Sequence, residues 1–254
     1  MLLKSLFIMI LMFVGSAPIM AQISQGEPYS RTIRTGNRPG SGDWGIFIGP
    51  SYDDVANIID NTITWRGLPL VNVKHYLSDA LELRCGVQLS NSKTKVKGDT
   101  MLYDDEVESV STKESEFFYR LTPGVAYHFS SKNLLDVYVG ANLPIGLSGD
   151  KYVNIIDGDN YGTQKRTSFE IGLGAYIGLQ CFVADLPVAI GFEYGITGYK
   201  YMGQKYENIT VDEDGREQVY YTTSSYDGNQ YSKLNSSNGH LGTDVRLTIS
   251  YFFK

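Results

Sequence analysis

"HLGTDVRLTISYFFK" (residues 240–254) closes the chain on a strict two-residue period. Leu241, Thr243, Val245, Leu247, Ile249, Tyr251 and Phe253 form one uncharged face, and Asp244 and Arg246 stand on the other. Such alternation marks a β-strand with two unlike faces. A protein core or a lipid phase could take the apolar one, and the rest of the chain decides between them.

Seven earlier segments repeat the pattern, so eight strands are predicted. The first two are "WGIFIGPSY", with Trp44, Ile46, Ile48 and Tyr52 on one face, and "LVNVKHYL", where Val71, Val73 and Leu77 oppose Asn72, Lys74 and Tyr76. "LELRCGVQLS" sets Leu81, Leu83, Cys85, Val87 and Leu89 against Glu82, Arg84, Gly86, Gln88 and Ser90. "EFFYRLTPGVAYHF" and "LLDVYVGANLPIGL" carry Arg120, His128 and Asp136 on their polar faces. "SFEIGLGAYIGLQCFV" and "VAIGFEYGIT" add Glu170, Gly178, Gln180, Gly191 and Glu193. Pro123 and Pro144 fall inside two segments and donate no ladder hydrogen bond, so a bulge is expected at each.

The connections alternate long and short, and "SDA", "SSKN" and "ADLP" are the short ones. That rhythm predicts an all-β fold: an eight-stranded antiparallel up-and-down transmembrane β-barrel with short periplasmic turns and long extracellular loops. A soluble eight-stranded barrel would alternate equally well. Its polar face would lie outside and be dense in Lys and Glu. Here the polar face is dominated by glycine, which suits a narrow interior. The apolar face carries no charge at its central positions, and its aromatics sort into two belts. Trp44, Tyr127, Phe129, Tyr251 and Phe253 make the turn-side belt, and Tyr52, Phe117, Tyr119, Phe169 and Tyr194 the loop-side belt, as expected at two membrane interfaces.

Lys4, the apolar run Leu6 to Val14, Pro18 and a cleavage site after Ala21 read as a secretory signal over residues 1–21. The run is too short for a bilayer helix. No cysteine follows the cleavage region, so an N-terminal lipid anchor is not expected. Residues 22–42, rich in Gly, Ser, Pro and Arg, read as a flexible periplasmic N-terminal arm, and residues 43–254 as the barrel. A formal charge of −6 with no basic block excludes an electrostatic case for nucleic acid. Cys85 and Cys181 fall on the third and sixth strands, which are not neighbours, so no disulfide is expected.

The signal ending in "MAQ", the eight segments and the terminal "VRLTISYFF" resemble the small outer-membrane β-barrel domain family of Gram-negative bacteria, similar in architecture to OmpA-type and OmpX-type barrels. The resemblance covers residues 43–254. It implies residence in the cell outer membrane, contact with membrane lipid and lipopolysaccharide, and delivery by the barrel-assembly machinery. Val245, Leu247, Ile249, Tyr251 and Phe253 would form the assembly signal, although Lys254 places the last aromatic one residue before the end. "DTM" at Asp99 to Met101 matches a short O-glycosylation pattern used by some of these bacteria, at Thr100.

Inward charges are expected to close the lumen as ion pairs: Lys74, Arg84, Arg120 and Arg246 against Glu82, Asp136, Glu170, Glu193 and Asp244. Glu193 and Arg246 are expected to pair across adjacent strands. The function expected is non-enzymatic, structural or surface-interacting, with a lipid A acyltransferase or deacylase, or a small channel, as alternatives. His75, His128 and His240 are too scattered to suggest catalysis, and the acidic turns at Asp157 and Asp212 lack the ligand spacing of a calcium loop. No catalytic, metal or cofactor residue is assigned. The last loop, about residues 204–238, carries Tyr206, Tyr220, Tyr221, Tyr226 and Tyr231 among small polar residues, a surface suited to an extracellular protein or glycan.

Overall fold

Main-chain hydrogen bonds join the predicted segments into a closed antiparallel ring. The computed structural model describes residues 38–49, 71–101, 107–129, 134–156, 159–183, 186–211, 215–225 and 228–253. The signal, arm residues 22–37, Tyr52, Asp157, Asp212 and Tyr226 lie outside them, as does the side chain of Thr100. The strands are β1 (Trp44–Ile48), β2 (Val71–Tyr76), β3 (Leu81–Met101), β4 (Val107–His128), β5 (Leu135–Asn142), β6 (Ile145–Ile156), β7 (Asp159–Phe182), β8 (Val188–Met202), β9 (Tyr206–Val211), β10 (Glu217–Thr222) and β11 (Ser237–Phe253).

β5 and β6 are one wall strand interrupted at Leu143 and Pro144. Gly124 opposite Asn142 and Leu121 opposite Ile145 belong to a single register. Leu143 donates to the Pro123 carbonyl and Gly172 to that of Pro144, each at 2.8 Å. The bulges expected at Pro123 and Pro144 are therefore absent, because each proline withholds one donor without displacing the ladder. The register shift of this region instead lies at Asn154/Ile155, between β6 and β7.

With β5 and β6 counted once, eight strands close, since β11 pairs β8 on one side and β1 on the other. Following partners around the ring returns to β1 ten residues along the chain. A stagger of that size tilts the strands by about 40° and gives a radius of about 8 Å, narrow enough for side chains to fill the lumen.

The two faces separate as the alternation predicts. Glu82, Asp136, Lys74 and Glu193 point in and are at most 4% exposed, whereas Leu173, Leu89 and Ile249 point out and are 69%, 63% and 55% exposed. Outward aromatics two residues apart meet ring to ring, Tyr127 edge-on to Phe129 at 5.5 Å and Phe117 stacked on Tyr119 at 5.4 Å. Cys85 and Cys181 are free.

Three segments expected to be loop are strand. β3 and β4 run far past the apolar band as a hairpin paired to Met101 and Val107, and β6 and β7 extend likewise. The β3, β4 and β7 extensions are mostly polar on both faces, and the apolar residues at the end of β6 (Tyr152, Val153, Ile155 and Ile156) do not alternate with polar ones, so no two-residue period announces them. In the last loop, β9 pairs both β7 and β10, and Tyr221 bridges Tyr231. Tyr206 lies under the Arg166 guanidinium at 5.2 Å and Tyr221 under the Lys205 ammonium at 4.2 Å. Tyr220 is half-buried on β10.

Two glycines let aromatic rings cross the wall. Tyr138 lies opposite Gly178 and Tyr176 opposite Gly140. A Cβ on either glycine would overlap the facing ring, whereas one on Gly98 would meet nothing within 4 Å. Gly178→Ala should therefore cost about 1–3 kcal/mol, an overpacking penalty, seen as a lower urea midpoint of the detergent-folded protein. Gly98→Ala should leave the midpoint unchanged.

Candidate functional site

The alternation of β2, β3, β4, β5 and β8 aims a set of long polar side chains at one level of the lumen. Lys74 and Arg84 are direct cross-strand partners, a like-charge pairing that opposes folding unless acids intervene. Glu82 supplies the first acid, bonded to Arg84 and 3.6 Å from the Lys74 Nζ. Glu193 supplies the second, accepting from Arg84 Nη1 and, at 2.7 Å, from the Tyr138 hydroxyl. The Arg84 guanidinium also lies over the rings of Tyr176, Tyr138 and Phe47 at 4.8, 4.9 and 5.2 Å.

His128 links this cluster to a third acid. Its Nδ1 is 2.6 Å from Asp136 and its Nε2 is 3.2 Å from Glu82, so the ring bridges two carboxylates. Asp136 also accepts from Gln180 Nε2 at 2.8 Å and meets Arg38 at 3.0 Å. Arg38 belongs to the segment read as a flexible arm, yet residues 38–42 are held in place. Arg38 lies over Phe182 at 5.1 Å, Ser41 binds Asp79 and Leu77, and Gly42 donates to Tyr76. With Arg38 included, three carboxylates (Glu82, Asp136, Glu193) face three fixed cations (Arg38, Lys74, Arg84).

A second tier lies nearer the loop side. Arg120 reaches over Gly146 to Glu170, with Nη2 at 3.0 Å from Oε2, and Nη1 contacts Gln88 at 3.3 Å. Arg246 binds Asp244 on its own strand.

All nine charges expected inside face inward, but one pairing differs. Glu193 stands opposite Arg246 in the β8–β11 register, as expected, yet it binds Arg84 from across the ring. In a tube about 8 Å in radius, long side chains from opposite walls meet, and neighbour counting along adjacent strands does not see them. Arg84 is also the more deeply buried cation, 6% against 26% exposed at the side chain. The His128 bridge was legible only as an inward phase on β4. Arg38, in a segment without period, left no signal.

The cluster has the ingredients of acid–base chemistry, but His128 and its two carboxylate partners have side chains at 0% exposure. As folded, the network ties strands from several sides of the ring together through buried ion pairs. His75 faces outward against Trp44 at a ring distance of 4.3 Å, and His240 is exposed on β11.

No family model matches the chain, and no curated protein is significantly similar to it. Among solved structures, it is similar to a major outer membrane protein from Thermus thermophilus, at 14% identity and a TM-score of 0.43, over 84% of this chain and 99% of that one.

Removing Arg84 would leave two buried carboxylates without their main partner. Arg84→Leu should destabilise the fold by about 3–5 kcal/mol, and Arg84→Leu with Glu193→Leu should cost less than the two single changes summed. Additive losses in that double-mutant cycle would remove the strut across the lumen.

Proposed function

We propose that the chain is a non-enzymatic outer-membrane β-barrel whose lumen is closed by ion pairs and whose role is structural or surface-interacting. The observation that carries this reading is an inverted amphipathicity. Buried positions hold Lys, Arg, Glu, Asp and His, while the outer wall exposes Leu, Ile, Val and aromatic rings on every strand of the ring. Contiguous apolar patches larger than a few hundred Å² are unusual on soluble monomers, and this belt encircles the ring. Lipid is the solvent that suits it. A closed ring is one of the two structures that leave no main-chain donor unpaired in a bilayer.

The buried ion pairs that cross the ring favour a structural role over a channel, and the burial of His128 favours it over a lipid-modifying enzyme. Beyond the belt, the paired extensions present a folded platform, with β10 and the tyrosines of the last loop as the surface for a protein or glycan partner. The uncharged face from Val245 to Phe253 is the surface offered to the assembly machinery.

Two measurements test the reading. Protein extracted from the outer-membrane fraction should migrate differently on a gel before and after boiling. Leu173→Arg, at a central outward position, should cost about 2–4 kcal/mol in lipid vesicles. A chain that stays soluble and monomeric without detergent would overturn the proposal.

A further inference from the structure

His128 and Arg38 share one carboxylate. Asp136 meets His128 Nδ1 at 2.6 Å on one oxygen and Arg38 Nη2 at 3.0 Å on the other. The second ring nitrogen of His128 faces Glu82 at 3.2 Å. A neutral imidazole has a single N–H and can donate to only one of these acids, whereas the imidazolium donates to both. The two acids therefore draw a second proton onto the ring. Cations already seated on the same acids oppose it: Arg38 on Asp136, and Lys74 and Arg84 on Glu82. Glu193 lies one step further, beyond Arg84. The other groups against the ring are neutral at physiological pH, Tyr76 of β2 at a ring distance of 5.5 Å and Tyr138 of β5 at 5.0 Å. Gln180 of β7 reaches the ring only through Asp136.

Of the cations, Arg38 alone is carried by chain outside the ring. Residues 38–43 precede β1 and have no strand ladder. Apart from Arg38, the segment is held by the buried Pro39, by Ser41 on Asp79 and on the Leu77 carbonyl, and by Gly42 on the Tyr76 carbonyl. A segment with so few bonds opens at a lower cost than the ring does. Charge decides when. With the segment docked and His128 neutral, Arg38, Lys74 and Arg84 match Glu82, Asp136 and Glu193. Protonation of His128 adds a fourth cation. With the segment away, the same proton restores the balance that Arg38 otherwise supplies.

We propose that His128 is a proton-controlled latch for residues 38–43, its protonation weakening the docking of that segment at the turn-side mouth. The proposal goes beyond the outer-membrane reading and needs only the closed ring. Two cations on the two oxygens of one carboxylate are about 6 Å apart, and at an effective dielectric of about 20 their repulsion changes docking by about tenfold or more. Docking is tight above the pH at which His128 titrates and weakens as the pH falls through it. By linkage, the arrival of Arg38 expels the proton. The latch thus answers acidification of the aqueous side that the turns face.

The test is hydrogen exchange of the full chain folded in detergent, at pH 8 and pH 6, with each rate divided by its intrinsic value at that pH. The amides of Gly40, Ser41, Gly42 and Asp43 all donate to acceptors within residues 40–79 and report docking. Asp43 and Asp79 stay ionised across this window. Parent protection at the four amides should fall by about tenfold or more between pH 8 and pH 6, while the amides of β1 paired to β11 keep theirs. His128→Gln and Arg38→Gln should each abolish the pH dependence, the first by removing the proton site and the second by removing the charge it repels. Parent protection that does not change with pH would overturn the latch. So would a pH dependence retained in either variant, or a loss that spreads in step to the β1–β11 seam. If His128→Gln does not fold, Arg38→Gln decides alone, since its substitution lies outside the ring.

Discussion

Everything in this molecule depends on the bonding of its shortest wall strand to its last. β1 has five residues, and each is paired on both sides, to β2 and to the end of β11. That seam turns an open sheet, which would present two rows of unpaired donors and acceptors, into a ring without an edge. Once the ring is closed at its particular stagger, the radius is set, and with it the room inside. The outward side chains then have no partner within the protein, and the inward ones have little space to avoid each other.

The lumen solves that crowding with charge and with shape together. Glycines opposite Tyr138 and Tyr176 let two rings lie across the wall, and those rings in turn roof the Arg84 guanidinium. The acids around Arg84 and Lys74 come from three strands, so the network is a set of transverse struts rather than a ladder of neighbours. A buried network of this kind is weak evidence for added stability, because desolvation offsets most of the attraction. Its clearer contribution is to register: a slip by one residue on any of the charge-bearing wall strands would carry those charges to the apolar side.

The fold was largely legible because alternation, turn residues and face composition agreed. The eight wall segments, the inward set from Lys74 to Arg246 and the two free cysteines all follow from phase alone. What escaped has a common physical origin. The extensions of β3, β4 and β7 are mostly polar on both faces, and the apolar residues of the β6 end and of the β9–β10 hairpin come in runs too short to show a period, so their pairing leaves no clear periodic trace. The Arg84–Glu193 contact spans a lumen whose width is a property of the closed ring, not of any local stretch. At Pro123 and Pro144 a local rule failed because neighbours on both sides hold the strand in register.

Arg38 gives the interior an unusual dependence on chain that is not part of any wall. The carboxylate it neutralises, Asp136, lies at the turn-side mouth on β5, whereas Arg38 arrives from upstream of β1 along a segment pinned at Ser41 and Gly42. Until that segment docks, the lower tier holds three carboxylates against only two fixed cations. Charge balance in the lower tier therefore depends on the docking of that segment. It couples the position of the segment just before β1 to a cluster buried away from solvent.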